Sequence, residues 1–192
     1  AEKSRALGGR ILYESTLPGL GSWIRVRDWR THMIGKLSNV QVYPDSKMTA
    51  GDIADFAADH VVLATGSRWR RDAVGVMGMQ PLELPKALTP DDIFAGAAVV
   101  GPVVIYDDEH YFMAGALAER LRGQGHDVTY VTPYATASSW TAMTDEQGFV
   151  QMRLLQAGVR ILPLHQLSGQ SADAVQLNCA YSGREVEQAC GT

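Results

Sequence analysis

A chain of 192 residues, 46% hydrophobic and 20% charged, has the composition of a folded globular protein with room for one ordinary domain or two small ones. Its 17 Lys and Arg against 21 Asp and Glu give a formal charge of -4, so no surplus of positive charge exists to neutralise a phosphate backbone, and no nucleic-acid partner is expected. No apolar run of membrane-spanning length and no signal-peptide core occur, which predicts a cytoplasmic protein without membrane contact; Cys179 and Cys190 are too few for a disulfide framework and read as reduced packing residues.

In chain order, Glu2 followed by the Gly8-Gly9-Arg10 turn resembles the region just after the second strand of a nucleotide-binding domain. There a carboxylate accepts the ribose hydroxyls, and the Gly-rich phosphate turn lies upstream, before residue 1. The competing reading of Glu2 is a surface residue in a frayed terminus. From Trp23 to Leu37, Trp29, Met33, Ile34 and Leu37 recur at helical spacing and predict an amphipathic helix. Val40–Tyr43 predicts a short strand, Thr49 with Asp52 caps a short helix reaching Phe56, and His60–Gly66 predicts a buried strand ending in the small-residue turn Ala64-Thr65-Gly66. A loop with Gly75, Gly78, Pro81 and Pro85 leads to Thr89-Pro90-Asp91-Asp92, where threonine caps, proline takes the first helical position and two acids face the positive helix end.

A second unit is expected from residue 99. Pro102–Tyr106 is an apolar strand, Phe112–Gln124 a helix with Met113, Leu117 and Leu121 on one face and Gly125 as its stop, and Asp127–Val131 the next strand. Together these form a βαβ unit, the core of a doubly wound parallel sheet. Asp145–Ala157 predicts a helix with Phe149, Met152 and Leu155 turned inward, followed by a strand at Val159–Leu162. Ala174–Tyr181 and Arg184–Ala189 predict a hairpin, after which the chain stops where another strand is expected.

The turn of the βαβ unit is the most informative stretch. A dinucleotide binder needs glycine there so that the pyrophosphate can approach the backbone; this chain has Asp107-Asp108-Glu109-His110-Tyr111. Three carboxylates repel a diphosphate, which predicts a unit that does not bind NAD(P)H and uses its acids for helix capping. A metal site at Asp107–His110 is the weaker reading, because consecutive residues rarely converge on one ion. Elsewhere, Ala64-Thr65-Gly66 is small enough for a nucleotide to touch the backbone, and Arg68, Trp69 and Arg70 follow with phosphate-pairing and stacking groups. Arg25, Arg27, Asp28 and Arg30 read by default as a solvated helix face, and the histidines lack ligand spacing.

Taken together, Leu7-Gly8-Gly9-Arg10, Leu17-Pro18-Gly19-Leu20, Trp23 with Arg27-Asp28-Trp29-Arg30, Ala64-Thr65-Gly66 with Trp69, Leu88-Thr89-Pro90-Asp91-Asp92 and Tyr106-Asp107-Asp108-Glu109-His110-Tyr111 resemble the C-terminal half of the trimethylamine and histamine dehydrogenases, old-yellow-enzyme-like flavoproteins. The resemblance implies an α/β, Rossmann-like, glutathione-reductase-like three-layer fold, truncated at both ends: residues 1–98 as the remnant of an FAD/ADP-binding domain without its Gly-rich first βαβ, and 99–192 as an NAD(P)-binding-like domain without its last strand. It implies ADP, or FAD, at a half-site formed by Glu2, Gly8, Gly9, Arg10, Trp23, Ala64, Thr65, Gly66 and Trp69. For the parent it implies a homo-oligomer with FMN and a 4Fe-4S cluster on a barrel, oxidising an amine and passing electrons to an electron-transferring flavoprotein. No barrel, FMN-linking cysteine or cysteine cluster is present in this chain, so it is expected to run no catalysis by itself. Two alternatives stand beside this: part of an NAD(P)H-dependent flavin reductase of the dienoyl-CoA reductase type, and a non-catalytic docking module that uses the Arg25–Arg30 face to hold an acidic redox partner.

Overall fold

The computed structural model describes all 192 residues and divides into two compact units, Ala1–Ser67 and Arg68–Thr192. The first is built from short helices: α1 (Ile11–Glu14), a single 3-10 turn over Gly21–Trp23, α2 (Ile24–Ile34) and α3 (Ala50–Asp55). The predicted cap of α3 is present, with the Asp52 amide donating to Thr49 Oγ1 at 3.2 Å and the Thr49 amide returning to Asp52 Oδ2 at 2.7 Å. Two predicted strands are absent. Val40–Tyr43 and His60–Gly66 belong to neither sheet, and Val62 and Leu63 stand 87% and 76% exposed. A strand needs a ladder to take its N–H and C=O groups; Val40–Tyr43 meets the chain at residue 2 through one bond, from the Glu2 amide to Tyr43 O, and His60–Gly66 has no backbone partner. The apolar stripe of α2 fares alike: Trp29, Met33 and Leu37 are exposed, because this unit supplies no layer to cover them.

The second unit is a mixed α/β structure. After α4 (Pro90–Phe94), capped by Thr89 and Asp92 as predicted, come β1 (Val103–Tyr106), α5 (Met113–Gly123), β2 (Val128–Val131), α6 (Gln147–Gln156) and β3 (Arg160–Leu162). β1, β2 and β3 form a parallel sheet in that order, Val103 opposite Val128 and Thr129 opposite Arg160, so the predicted βαβ unit is there. A second, antiparallel sheet follows, of β4 (His165–Gln170), β5 (Ala174–Cys179) and β6 (Glu185–Ala189). The hairpin of β5 and β6 was legible, while β4 was not. Gly191 and Thr192 then run along the free edge of β1, the Gly191 amide donating to Pro102 O at 2.8 Å and the Val104 amide to Thr192 O at 2.9 Å.

Alternation along the parallel strands separates two cores. Val128 and Tyr130 point into the cluster with Ala114, Ala118, Leu121, Val150 and Leu154 under α5 and α6. Val131 points the other way, with Val104, Tyr106 and Leu162, against Val175 and Leu177 of the antiparallel sheet. The layers are therefore helix, parallel sheet and antiparallel sheet: the expected α/β character and parallel βαβ core are there, and an antiparallel sheet lies on the face where a doubly wound sheet carries further helices. The inward face of α6 is also corrected: Val150 and Leu154 are buried, while Phe149, Met152 and Leu155 face outward. The helix is turned that way by two glutamines on Ala137, whose carbonyl accepts from Gln147 Nε2 at 3.1 Å and whose amide donates to Gln151 Oε1 at 3.1 Å.

Candidate nucleotide half-site and the acidic turn

The first unit holds all but one of the residues assigned to nucleotide binding. Glu2 is half-buried and pinned to the 43–46 segment, its amide donating to Tyr43 O at 2.9 Å and its carbonyl accepting from Ser46 at 2.8 Å; one carboxylate oxygen takes the Ser4 amide at 2.9 Å. Gly8 and Gly9 open the turn into α1, with φ of +122° and +51°. A Cβ on Gly8 would come within 2.8 Å of Arg27 Cγ, so this glycine serves packing. At Gly9 and at Gly66 (φ +74°) a Cβ would meet nothing within 4 Å, and both backbones lie open.

Arg10 joins the two turns. Its Nη2 donates to the Ser67 carbonyl at 3.1 Å, directly after Ala64-Thr65-Gly66, and its Nε lies 3.5 Å from Glu14 Oε1. A guanidinium beside bare backbone at Gly9 and Gly66 is a chemistry that suits an anionic phosphate. Glu2 is tied to the 43–46 segment instead of to these turns, and Trp23 closes the 3-10 turn as a half-buried ring. Trp69 belongs to the second unit, where its amide donates to Asp91 Oδ2 at 3.4 Å.

The acidic turn after β1 does something that its sequence did not reveal. It caps no helix: α5 begins behind Phe112 without a side-chain cap. Asp107 is buried, with Oδ1 accepting the His110 amide at 2.8 Å and Oδ2 accepting the Tyr130 hydroxyl. Burial pushes the Asp107 carboxyl above its ordinary range, against the pull of the Tyr130 and His110 donors, and burial followed by the Asp107 charge pushes the Tyr130 phenol well up. Burial raises the Tyr106 phenol in the same way, helped by Asp108. Asp108 accepts the Met77 amide at 2.9 Å, the Gly78 amide at 2.7 Å and His110 Nε2 at 3.0 Å. His110 is fully buried at φ +65°, its ring centroid 3.9 Å from that of Tyr134. The partners Met77, Gly78 and Tyr130 were missed, the one sequence signal being the pair Gly75 and Gly78. No group of three or more His, Cys, Asp or Glu side chains gathers as a metal site would require, and both cysteines are free.

Comparison with known proteins agrees with the motifs. The family profile described as OYE-like second alpha/beta domain matches residues 88–191. Dimethylamine dehydrogenase of Hyphomicrobium sp. (strain x) is 34% identical over 166 residues, covering 81% of this chain and 22% of that protein. Histamine dehydrogenase from Rhizobium sp. 4-9 superposes with a TM-score of 0.92 at 39% identity, over 98% of this chain and 30% of its own. The 6-hydroxypseudooxynicotine amine oxidase from Pseudomonas geniculata N1 does so with 0.92 at 38%, over 98% and 29%. The chain thus spans less than a third of the length of these relatives. Because the profile takes in more than half of the residues, the chain belongs to the family of OYE-like second alpha/beta domains, in the branch that holds the dimethylamine and histamine dehydrogenases.

Proposed function

We propose that these residues form the nucleotide-binding and structural part of a larger amine-oxidising flavoprotein. The relatives are named for amine oxidation, which supports an oxidoreductase, and the glutathione-reductase-like reading assigns 1–98 to the remnant of an FAD/ADP-binding domain and 99–192 to an NAD(P)-binding-like domain. In this reading FMN and the 4Fe-4S cluster belong to the parent polypeptide, which is a cytoplasmic homo-oligomer and hands electrons to an electron-transferring flavoprotein. No step of amine oxidation runs through this chain.

The observation that carries the nucleotide half is the Arg10–Ser67 hydrogen bond, which seats the Gly9 turn beside Ala64-Thr65-Gly66. ADP bound there supplies a fixed anion, not reactivity. Arg10 and the bare backbone at Gly9 and Gly66 hold its phosphates, Glu2 accepts a ribose hydroxyl, Gly8 keeps the turn compact, and Trp23 offers an aromatic face. The acidic turn of the second unit, already committed to its own chain, supports the absence of a nicotinamide site. Calorimetric titration of the chain at modest salt tests this: ADP is expected to bind saturably and Arg10→Ala to weaken it about tenfold or more, as for loss of a charge-assisted hydrogen bond. Silence with ADP overturns the half-site, and a colourless, iron-free parent polypeptide overturns the amine-dehydrogenase assignment.

A further inference from the structure

The segment from Asp72 to Leu82 lies on the β1–α5 turn and is bound to it by one side chain. Two successive amides, those of Met77 and Gly78, converge on the Asp108 carboxylate at 2.9 and 2.7 Å, and the Val76 amide donates to the Asp108 carbonyl at 3.2 Å. Successive N–H groups aimed at one anion are the arrangement with which backbone nests hold phosphate. The Gly75 amide closes the loop on Gly78 O at 2.9 Å. Neither glycine has space for a side chain: a Cβ on Gly75 would fall 2.6 Å from Asp108 Oδ2, and one on Gly78 would fall 2.6 Å from the Ala73 carbonyl. From the other side His110 Nε2 reaches Asp108, and the Trp140 amide donates to His110 O at 2.8 Å, so the turn is enclosed by its own chain and Asp108 and His110 are buried. In a dinucleotide-binding βαβ unit this same turn is bare, its N–H groups free for a diphosphate.

We propose that Asp108 is an internal stand-in for a phosphate: seated on the Met77 and Gly78 amides, its carboxylate clasps the Asp72–Leu82 segment over the β1–α5 turn and closes that turn to any dinucleotide. The closure rests on the reading of residues 99–192 as an NAD(P)-binding-like domain; the clasp rests on the hydrogen bonds alone. The clasp explains why Asp108 follows β1 without capping α5, and why Gly75 and Gly78 are spaced as they are in a segment with no helix or strand.

Amide hydrogen exchange on the full 192-residue chain tests the clasp. Met77 and Gly78, beside solvent-exposed neighbours, are expected to be protected, and Asp108→Asn to speed their exchange about tenfold or more, since hydrogen bonds to a charged acceptor are lost. Val128–Val131 of β2 is expected to keep its protection. Equal exchange at Met77 and Gly78 in both proteins overturns the proposal. Gly78→Ala keeps the Asp108 carboxylate and disturbs the segment first at the Ala73 carbonyl, 2.6 Å from the new Cβ, and then at Asp108 Oδ2, 3.1 Å from it. It is expected to free Met77 with β2 still protected, and a protected Met77, or loss of β2 protection in both variants, makes the segment an ordinary part of the core and overturns the proposal as well. For the closure, NADH is titrated into Asp108→Gly, which removes the internal anion and restores a glycine. Saturable binding beyond that of the unmodified chain supports it, and none in a variant whose segment exchanges freely overturns it. ADP titration of the unmodified chain fails or succeeds independently, so loss of the half-site and loss of the clasp are told apart.

Discussion

Cys179 ends β5 at the hairpin turn, where the Ser182 hydroxyl, then the Ser182 and Tyr181 amides, hydrogen-bond its sulfur and lower its thiol to about 7. Cys190 is buried in the core beside Val175 and Leu177, and burial pushes its thiol up. Alkylation by iodoacetamide should therefore reach half its maximal rate near pH 7 at Cys179, with Cys190 slower throughout, and Ser182→Ala should move the Cys179 midpoint toward the ordinary thiol range. A midpoint already in that range in the unmodified chain would contradict the assignment. Both cysteines read from the sequence as packing residues, which describes Cys190 and not Cys179; the donors to Cys179 come from the turn that bends back on it, and a composition argument does not see a turn. The same holds for Asp108. Its neighbours in sequence announce repulsion of a diphosphate, but its partners lie 30 and 31 residues away, and no local pattern encodes that meeting.

At the scale of single elements, legibility followed the number of faces that a pattern allows. α5 has one apolar stripe, and Met113, Leu117 and Leu121 were read inward and are buried. α6 has two, Phe149, Met152 and Leu155 at spacing of three, and Val150 and Leu154 at spacing of four; both fit a helical period. What breaks the tie is polar: Gln147 and Gln151 must face Ala137 to satisfy its amide and carbonyl, and this rotates Val150 and Leu154 into the core. The two neighbouring leucines therefore differ sharply. Leu154 is 0% exposed and Leu155 58%, so Leu154→Ala should cost about 2–5 kcal/mol by chemical denaturation, while Leu155→Ala should stay within about 0.5 kcal/mol. A larger loss at Leu155 than at Leu154 would place the helix in the orientation first expected, and equal losses would contradict the present one. The caps of α3 and α4 were legible for the opposite reason, since Thr49 with Asp52 and Thr89 with Asp92 are complete within four residues.

For the whole molecule, the order of short motifs identified the family, while the antiparallel layer was legible only in part. Leu88-Thr89-Pro90-Asp91-Asp92 and Tyr106–Tyr111 fall within the matched residues 88–191, whereas the antiparallel sheet that replaces a second helix layer left only the β5–β6 hairpin as a trace. The two units differ in how much core they own. The second has two buried clusters, one on each face of its parallel sheet; in the first, Leu17 is the one buried hydrophobic residue. His60–Gly66, apolar in sequence and strand-like in composition, accordingly runs uncovered across a unit with little interior. Unpaired and apolar, it is a template on which one copy of the chain can dock another edge to edge, the first step of aggregation. The isolated chain should scatter light increasingly with concentration and warming, and Val62→Lys, a gatekeeper charge on an 87% exposed position, should suppress that scatter with no loss of folded signal from the second unit. Handling of the polypeptide in isolation is thus governed less by its well-packed α/β unit than by one short uncovered segment outside it.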